Sequence, residues 1–190
     1  AGIAALAREK GLRVHCDGAR LFNACAASGM TPEEVARHCD TISFCFSKGL
    51  GAPAGSVVAG DSSTIDRAHR YRKMLGGGMR QSGVLAAAAL HALEHHVERL
   101  TLDHARAGRF RQVLEEKGGF SFPLPSPTNI VYVDVPDAAR FAHNLLELGV
   151  RVLVTGPRRL RVVFHLDIDD EGLERAIAAF CRVRHGVERH

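Results

Sequence analysis

The stretch Phe44-Cys45-Phe46-Ser47-Lys48-Gly49-Leu50-Gly51 places a lysine directly after an apolar, aromatic run and directly before small residues. A lysine amine is a poor nucleophile while protonated. Where burial or neighbouring cations favour the neutral form, it condenses with a carbonyl to a Schiff base. Thr41 to Phe46 has the β-branched and aromatic composition of a strand, so Lys48 falls just past a strand's carboxyl end, where open α/β sheets bind ligands. The glycines beyond it let a ligand come close to the backbone. Taken alone, the stretch fits an exposed loop lysine better.

Asp17 shifts that balance. It also ends a short apolar run, Leu12 to Cys16, broken by His15. A carboxylate and a lysine at strand ends of one sheet are what pyridoxal phosphate requires: an acid that keeps the pyridine nitrogen protonated, and an amine for the aldehyde. Asp17 can equally be the N-cap of a helix over Gly18 to Ala27. Two cationic features follow. Arg70, Arg72, Lys73 and Arg80 flank the run Gly76 to Gly78 ahead of a helix, a turn that could offer amides and a helix dipole to a phosphate or carboxylate; the alternative is a linker with solvated charges. Arg161 sits in Leu160 to Leu166, sharing a strand face with Val163 while Val162 takes the other. An arginine among apolar strand residues needs a partner, either a substrate carboxylate or an internal Asp or Glu. His165 reads as a hydrogen-bonded structural histidine. Glu94, His95 and His96 lack metal-ligand spacing and read as a solvated helix face.

Composition narrows the classes. Hydrophobic residues make up 46% of 190, enough for a packed core. The net charge is +4, with scattered basic residues, 2 Tyr and no Trp; a nucleic-acid binder would show a basic stripe with aromatic platforms. Five cysteines without Cys-x-x-Cys spacing argue against a disulfide framework and for a reducing compartment, with Cys16 and Cys45 expected as buried thiols. The cytoplasm is expected, with the mitochondrion as the other compartment. No apolar run reaches the ~18 residues of a membrane span.

The elements that must hold these residues alternate. Helix is expected at Ile3 to Lys10, Leu21 to Ala27, and from Pro32, where Thr31 and Glu34 form a capping box. Strands follow at Thr41 to Phe46 and Gly55 to Ala59. Further helices are expected at Ser62 to Leu75, at Gly83 to Leu100 (apolar on most faces and therefore expected to be buried), and at Thr101 to Lys117. After the rigid connector at Pro123, Pro125 and Pro127 come strands at Ile130 to Val135, Val150 to Val154 and Leu160 to Leu166. Helices at Asp137 to Leu148 and Asp170 to Arg184 separate and follow them, and Val187 to His190 reads as a frayed tail. This predicts an α/β fold with a parallel-type sheet over residues 1–100 and a small α+β domain over 101–190. The opening segment lacks Met and reads as a helix joined in its middle, so the chain is expected to be a fragment.

The segments His15 to Ala24, Ser43 to Ser56 and Arg72 to Ala86, with Arg161 to Asp167 more loosely, resemble the threonine aldolases. These are pyridoxal phosphate enzymes of the aspartate-aminotransferase-like fold (fold type I). The resemblance runs from Leu12 to about Arg184, and only the ordered set of segments is specific. It implies a partial large domain, the C-terminal part of the cofactor-binding domain, over residues 1–100. It implies that Lys48 carries the cofactor, that Asp17 pairs with its ring nitrogen, and that Arg20 lies near cofactor and substrate carboxylate. Ser47 would assist the phosphate, with Lys73 and Arg80 approaching it from a neighbouring subunit, and Arg161 would bind the amino-acid carboxylate. The implied reaction, cleavage of threonine-type β-hydroxy-α-amino acids to glycine and an aldehyde, belongs to threonine catabolism and glycine formation. A homo-oligomer, dimer or tetramer, is implied, and the apolar Gly83 to Leu100 run is expected at its interface.

The sequence departs from the family twice. The N-terminal half has no counterpart, and Phe164 stands where a threonine is usual, beside the pocket strand. Three readings stay open: an aldolase-type lyase, another fold type I lyase or transferase with altered substrate choice, and a truncated, inactive product.

Overall fold

The computed structural model describes residues 2–187; of the expected tail, Val187 closes the last helix and residues 188–190 lie outside the described residues. The chain divides into two compact units, Ala1–Arg99 and Leu100–His190.

The first unit contains α1 (Gly2–Glu9), β1 (His15–Asp17), α2 (Leu21–Ser28), α3 (Pro32–Ala36), β2 (Thr41–Cys45), β3 (Ser56–Gly60), α4 (Ser62–Met74) and α5 (Gly83–His95). Local chemistry sets several boundaries. The Glu34 amide donates to Thr31 Oγ1 at 3.2 Å and the Thr31 amide to Glu34 Oε2 at 2.7 Å, so the expected capping box starts α3. Gly29 ends α2 with φ 73°, its N–H bonded to the Cys25 carbonyl, a conformation that only glycine adopts without strain. Asp61 caps α4 by accepting from the Thr64 amide at 2.9 Å.

The sheet order is β1-β2-β3. The expected parallel character resides in β1 and β2, where His15 lies opposite Thr41 and Asp17 opposite Ser43; α2 and α3 form the crossover such a pair requires. The third strand is antiparallel, with Thr41 opposite Gly60 and Cys45 opposite Ser56. Its connection turns back at once: the Phe46 amide donates to Gly55 O at 2.9 Å and the Ala52 amide to Phe46 O at 3.0 Å. One sheet face packs Cys16, Ile42 and Phe44 against Leu21, Cys25 and Val35, with Phe22 edge-on to Phe44 at 5.2 Å. Strand alternation sends His15, Asp17, Thr41 and Ser43 to the other face; a 2.8 Å contact between His15 Nδ1 and Thr41 Oγ1 agrees.

Two expectations are corrected here. Cys16 and Cys45 are half-buried, and Cys25 is the buried thiol of this unit, because Cys25 lies on the helix face turned to the sheet. The expected Gly83 to Leu100 helix ends at His95, and a new helix begins at Leu100. Of α5 only Ala92 is buried, at 1% exposure, while Val84 and Leu90 stay 71% and 56% exposed. Apolar composition marks a surface that favours burial, but the described chain covers only one side of this helix, where Leu85, Ala88, Ala89 and Leu93 are half-buried.

The second unit contains α6 (Leu100–Lys117), β4 (Ile130–Asp134), α7 (Ala138–Glu147), β5 (Leu153–Gly156), β6 (Arg159–Val163) and α8 (Asp170–Val187). Its sheet, in order β4-β6-β5, is antiparallel throughout. Val131, Val133, Leu160 and Val162 pack against Phe110, Leu114, Phe141, Leu145, Ile177 and Phe180. Each such side chain removed from water contributes about 1.5–3 kcal/mol. Phe164, 2% exposed, joins this core, its ring 5.5 Å from that of Phe110. The buried Asn129 is satisfied by donating to Phe164 O at 2.8 Å. The expected strand at Val150 begins later, at Leu153, because the Val150 amide is used to close α7, donating to Leu145 O at 2.9 Å.

Candidate functional site

Asp17 ends β1 and is exposed. Its Oδ1 accepts the Ala19 amide at 3.2 Å, a local turn that leaves most of the carboxylate's lone pairs free. Arg20, half-buried, occupies the N-cap position of α2 without a side-chain cap bond, so the helix-cap alternative for Asp17 does not hold. Between them, Gly18 presses on the sheet. Its amide donates to Ser43 O at 2.8 Å, and a Cβ there would stand 2.7 Å from that same oxygen. Close backbone approach, with no positive φ, is what demands glycine.

Lys48 lies in the turn after β2, whose Lys48 carbonyl accepts the Gly51 amide at 2.9 Å, with Gly51 at φ 73°. Ser47 and Lys48 are exposed while Gly49 and Leu50 are buried, so the lysine stands on an anchored turn. The parallel β1–β2 pair therefore brings Asp17 and the Ser47-Lys48 dipeptide to the carboxyl ends of neighbouring strands. The remaining predicted residues sit elsewhere. Lys73 is in the last turn of α4, its stem beside Gly78, where a Cβ would lie 3.6 Å from Nζ. Arg80 is exposed in the α4–α5 connection, next to Gln81, a non-glycine residue at φ 49°.

Arg161, in the second unit, pairs across the sheet with Tyr132 on β4 and Leu153 on β5. Its Nε is buried without a hydrogen-bond partner. Among the described residues no internal carboxylate meets it. Its neighbour Arg159 is occupied instead: Nε and one terminal nitrogen bond Asp134 at 2.8 and 3.0 Å. The Arg159 hydrogen bonds hold the Asp134 carboxyl below its ordinary range and raise Arg159 in return. An orphaned buried donor on a cation costs about 1–3 kcal/mol and suits an anion arriving from outside. Phe164 points to the opposite, core side of the sheet, so the bulky replacement for threonine does not occupy Arg161's face. His165 Nδ1 lies 3.3 Å from Asp167 Oδ2, the paired histidine that was expected.

One residue was misread. His95 pairs at the surface with Glu94 at 4.0 Å, but His96 is half-buried and its Nδ1–H donates to Leu50 O at 2.6 Å. That bond spans 46 residues of sequence, and no local pattern announces it.

Within the first unit the donor set fits pyridoxal phosphate, a carboxylate with free lone pairs and a lysine amine at neighbouring strand ends; in the second unit, taken by itself, Arg161 holds an unused donor. Among the described residues no helix is long and apolar enough to cross a membrane.

The sequence pattern of the beta-eliminating lyases matches residues 1–138. The low specificity L-threonine aldolase of Escherichia coli (strain K12) is 42% identical over 171 residues, covering 90% of this chain and 51% of its own length. Low-specificity L-threonine aldolase 1 of Arabidopsis thaliana is 38% identical over 181 residues, 92% of this chain and 51% of its own. The Leishmania major threonine aldolase structure superimposes with a TM-score of 0.75 at 18% identity, over 95% of this chain and 54% of that one. This likeness establishes the expected α/β, aspartate-aminotransferase-like fold. The chain spans about half the length of the curated relatives it matches.

Proposed function

Because the chain belongs to the beta-eliminating lyase family, we propose that it is part of a pyridoxal phosphate-dependent carbon–carbon lyase of the threonine aldolase type. Such an enzyme cleaves threonine or allo-threonine and similar β-hydroxy-α-amino acids to glycine and an aldehyde. The observation that carries this reading is the pairing of β1 with β2, which sets Asp17 and Lys48 at neighbouring strand ends with neither side chain in an ion pair among the described residues. When bound, the cofactor supplies a ring that accepts the electron pair released as the Cα–Cβ bond breaks.

Each residue's role follows from its chemistry. Lys48 would hold the cofactor through its side-chain amine. Asp17 would sit beside the ring nitrogen and favour its protonated form. Gly18 lets the backbone after Asp17 lie close against Ser43 O, which fixes where the carboxylate stands. The guanidinium of Arg161 receives the amino-acid carboxylate through the donor that the protein leaves unused, and Arg20 adds positive charge near Asp17. Ser47, Lys73 and Arg80 supply a hydroxyl and cations to the phosphate. The exposed apolar surface of α5 supports self-association, and the free thiols support a reducing, cytoplasmic setting.

Reductive trapping tests the reading. The full chain, incubated with pyridoxal phosphate and borohydride, is expected to carry the reduced pyridoxyl group on the Lys48 peptide by mass spectrometry. Lys48→Ala is expected to lose it, and Asp17→Ala to weaken it. Labelling spread evenly over surface lysines would refute the assignment.

A further inference from the structure

We propose that His96 is a positioning residue for Lys48. This rests on the reading of Lys48 as the cofactor lysine. The turn Ser47-Lys48-Gly49-Leu50-Gly51 has one end continuous with β2, through the Phe46 amide bonded to Gly55 O and the Ala52 amide bonded to Phe46 O. Its middle is tied differently. The Leu50 carbonyl accepts the His96 Nδ1–H at 2.6 Å, two residues beyond the reactive amine. Leu50 itself is buried, so water competes poorly for that carbonyl and the bond is correspondingly hard to replace.

The imidazole is held in its own right. His96 closes the C-terminal end of α5, its backbone amide bonded to Ala92 O at 2.9 Å, where Ala92 is fully enclosed. The His91 ring meets it edge-to-face at 5.3 Å. A carbonyl can only accept, so the bond requires the hydrogen on Nδ1 and fixes the ring's tautomer and orientation. A rigid helix end thus sets the height of the lysine turn above the sheet. Without this tie the turn keeps its ends and the internal Gly51–Lys48 bond but loses its link to α5, and the Lys48 amine samples positions away from Asp17.

The decisive comparison uses two substitutions in the full chain. Asparagine carries its amide nitrogen as many bonds from Cβ as Nδ1 of histidine, so His96→Asn preserves the donor. His96→Phe preserves the ring and removes the donor. Amide hydrogen exchange across Gly49 to Ala52 is expected to quicken about three- to ten-fold in His96→Phe and to stay near wild type in His96→Asn, as for loss of one hydrogen bond. Cofactor trapping on Lys48 is expected to fall in parallel in His96→Phe alone. Equal exchange in wild type and His96→Phe overturns the proposal, and so does equal quickening in both variants, which would make the ring and not its bond the important element. The exchange measurement requires no cofactor. If Lys48 is not trapped in wild type while the exchange pattern appears, the cofactor reading fails and the tie to the lysine turn stands.

Discussion

Arg161→Met should make the second unit more stable while removing its affinity for carboxylates. The reasoning begins with Nε of Arg161, buried without an acceptor. Leaving such a donor unpaired costs about 1–3 kcal/mol. Arg161 is half-buried as a residue, so its terminal nitrogens keep some hydration and the lower end of that range applies, about 1 kcal/mol. Methionine keeps an unbranched apolar stem between Tyr132 and Leu153 and deletes the orphan. For a urea slope of about 1–3 kcal/mol/M, the midpoint should rise by about 0.3–1 M. For a unit this size, a 1 kcal/mol gain corresponds to roughly 4–8 °C in Tm.

Urea unfolding followed by tyrosine fluorescence is a suitable assay, because Tyr132 is Arg161's cross-strand partner and a Tyr71→Phe background makes it the sole tyrosine among the 2 present. Glycine or threonine binding, measured on the cofactor-loaded chain, should weaken at least about 30-fold, as for loss of one member of a buried charge pair. A gain in stability with a loss of binding is the signature of a residue kept for a ligand. If Arg161→Met instead lowers the urea midpoint, the guanidinium holds the fold together and the argument from the orphaned donor is wrong.

Other expectations follow from the same geometry. Gly18→Ala drives a methyl against Ser43 O, a backbone atom that cannot turn aside; it should cost about 1–3 kcal/mol by urea unfolding and reduce trapping on Lys48 by displacing Asp17, whereas wild-type stability would disprove the contact. Asp134 has its folded-state pKa depressed by Arg159, so its contribution is present above the ordinary carboxylate pKa and is lost as pH falls through the folded value. Asp134→Asn should therefore flatten the acid limb below about pH 4 and cost at most about 1 kcal/mol at neutral pH, the pair being partly exposed; an unchanged acid limb would remove the pair from the account.

What the sequence determined by itself was short in range. The Thr31–Glu34 box operates across three residues, and the alternation around Arg161 along a single strand. Each is a contest between a backbone group and its near neighbours, decided before the chain folds. The Asp17 and Lys48 candidates were legible for the same reason, since each polar residue directly follows an apolar strand. Tertiary structure decided what depends on partners distant in the chain. The antiparallel entry of β3 follows from a connection that returns Ser56 opposite Cys45 rather than from strand composition. The exposure of α5 reflects missing cover, which its apolar residues cannot report. Phe164 turns into the core of α6 and α8 and leaves Arg161's face clear, Arg161 finds no internal acid although Asp134 is one strand away, and His96 reaches across to the carbonyl beside the lysine. Burial and pairing are properties of two surfaces at once, and a sequence read one segment at a time contains only one of them.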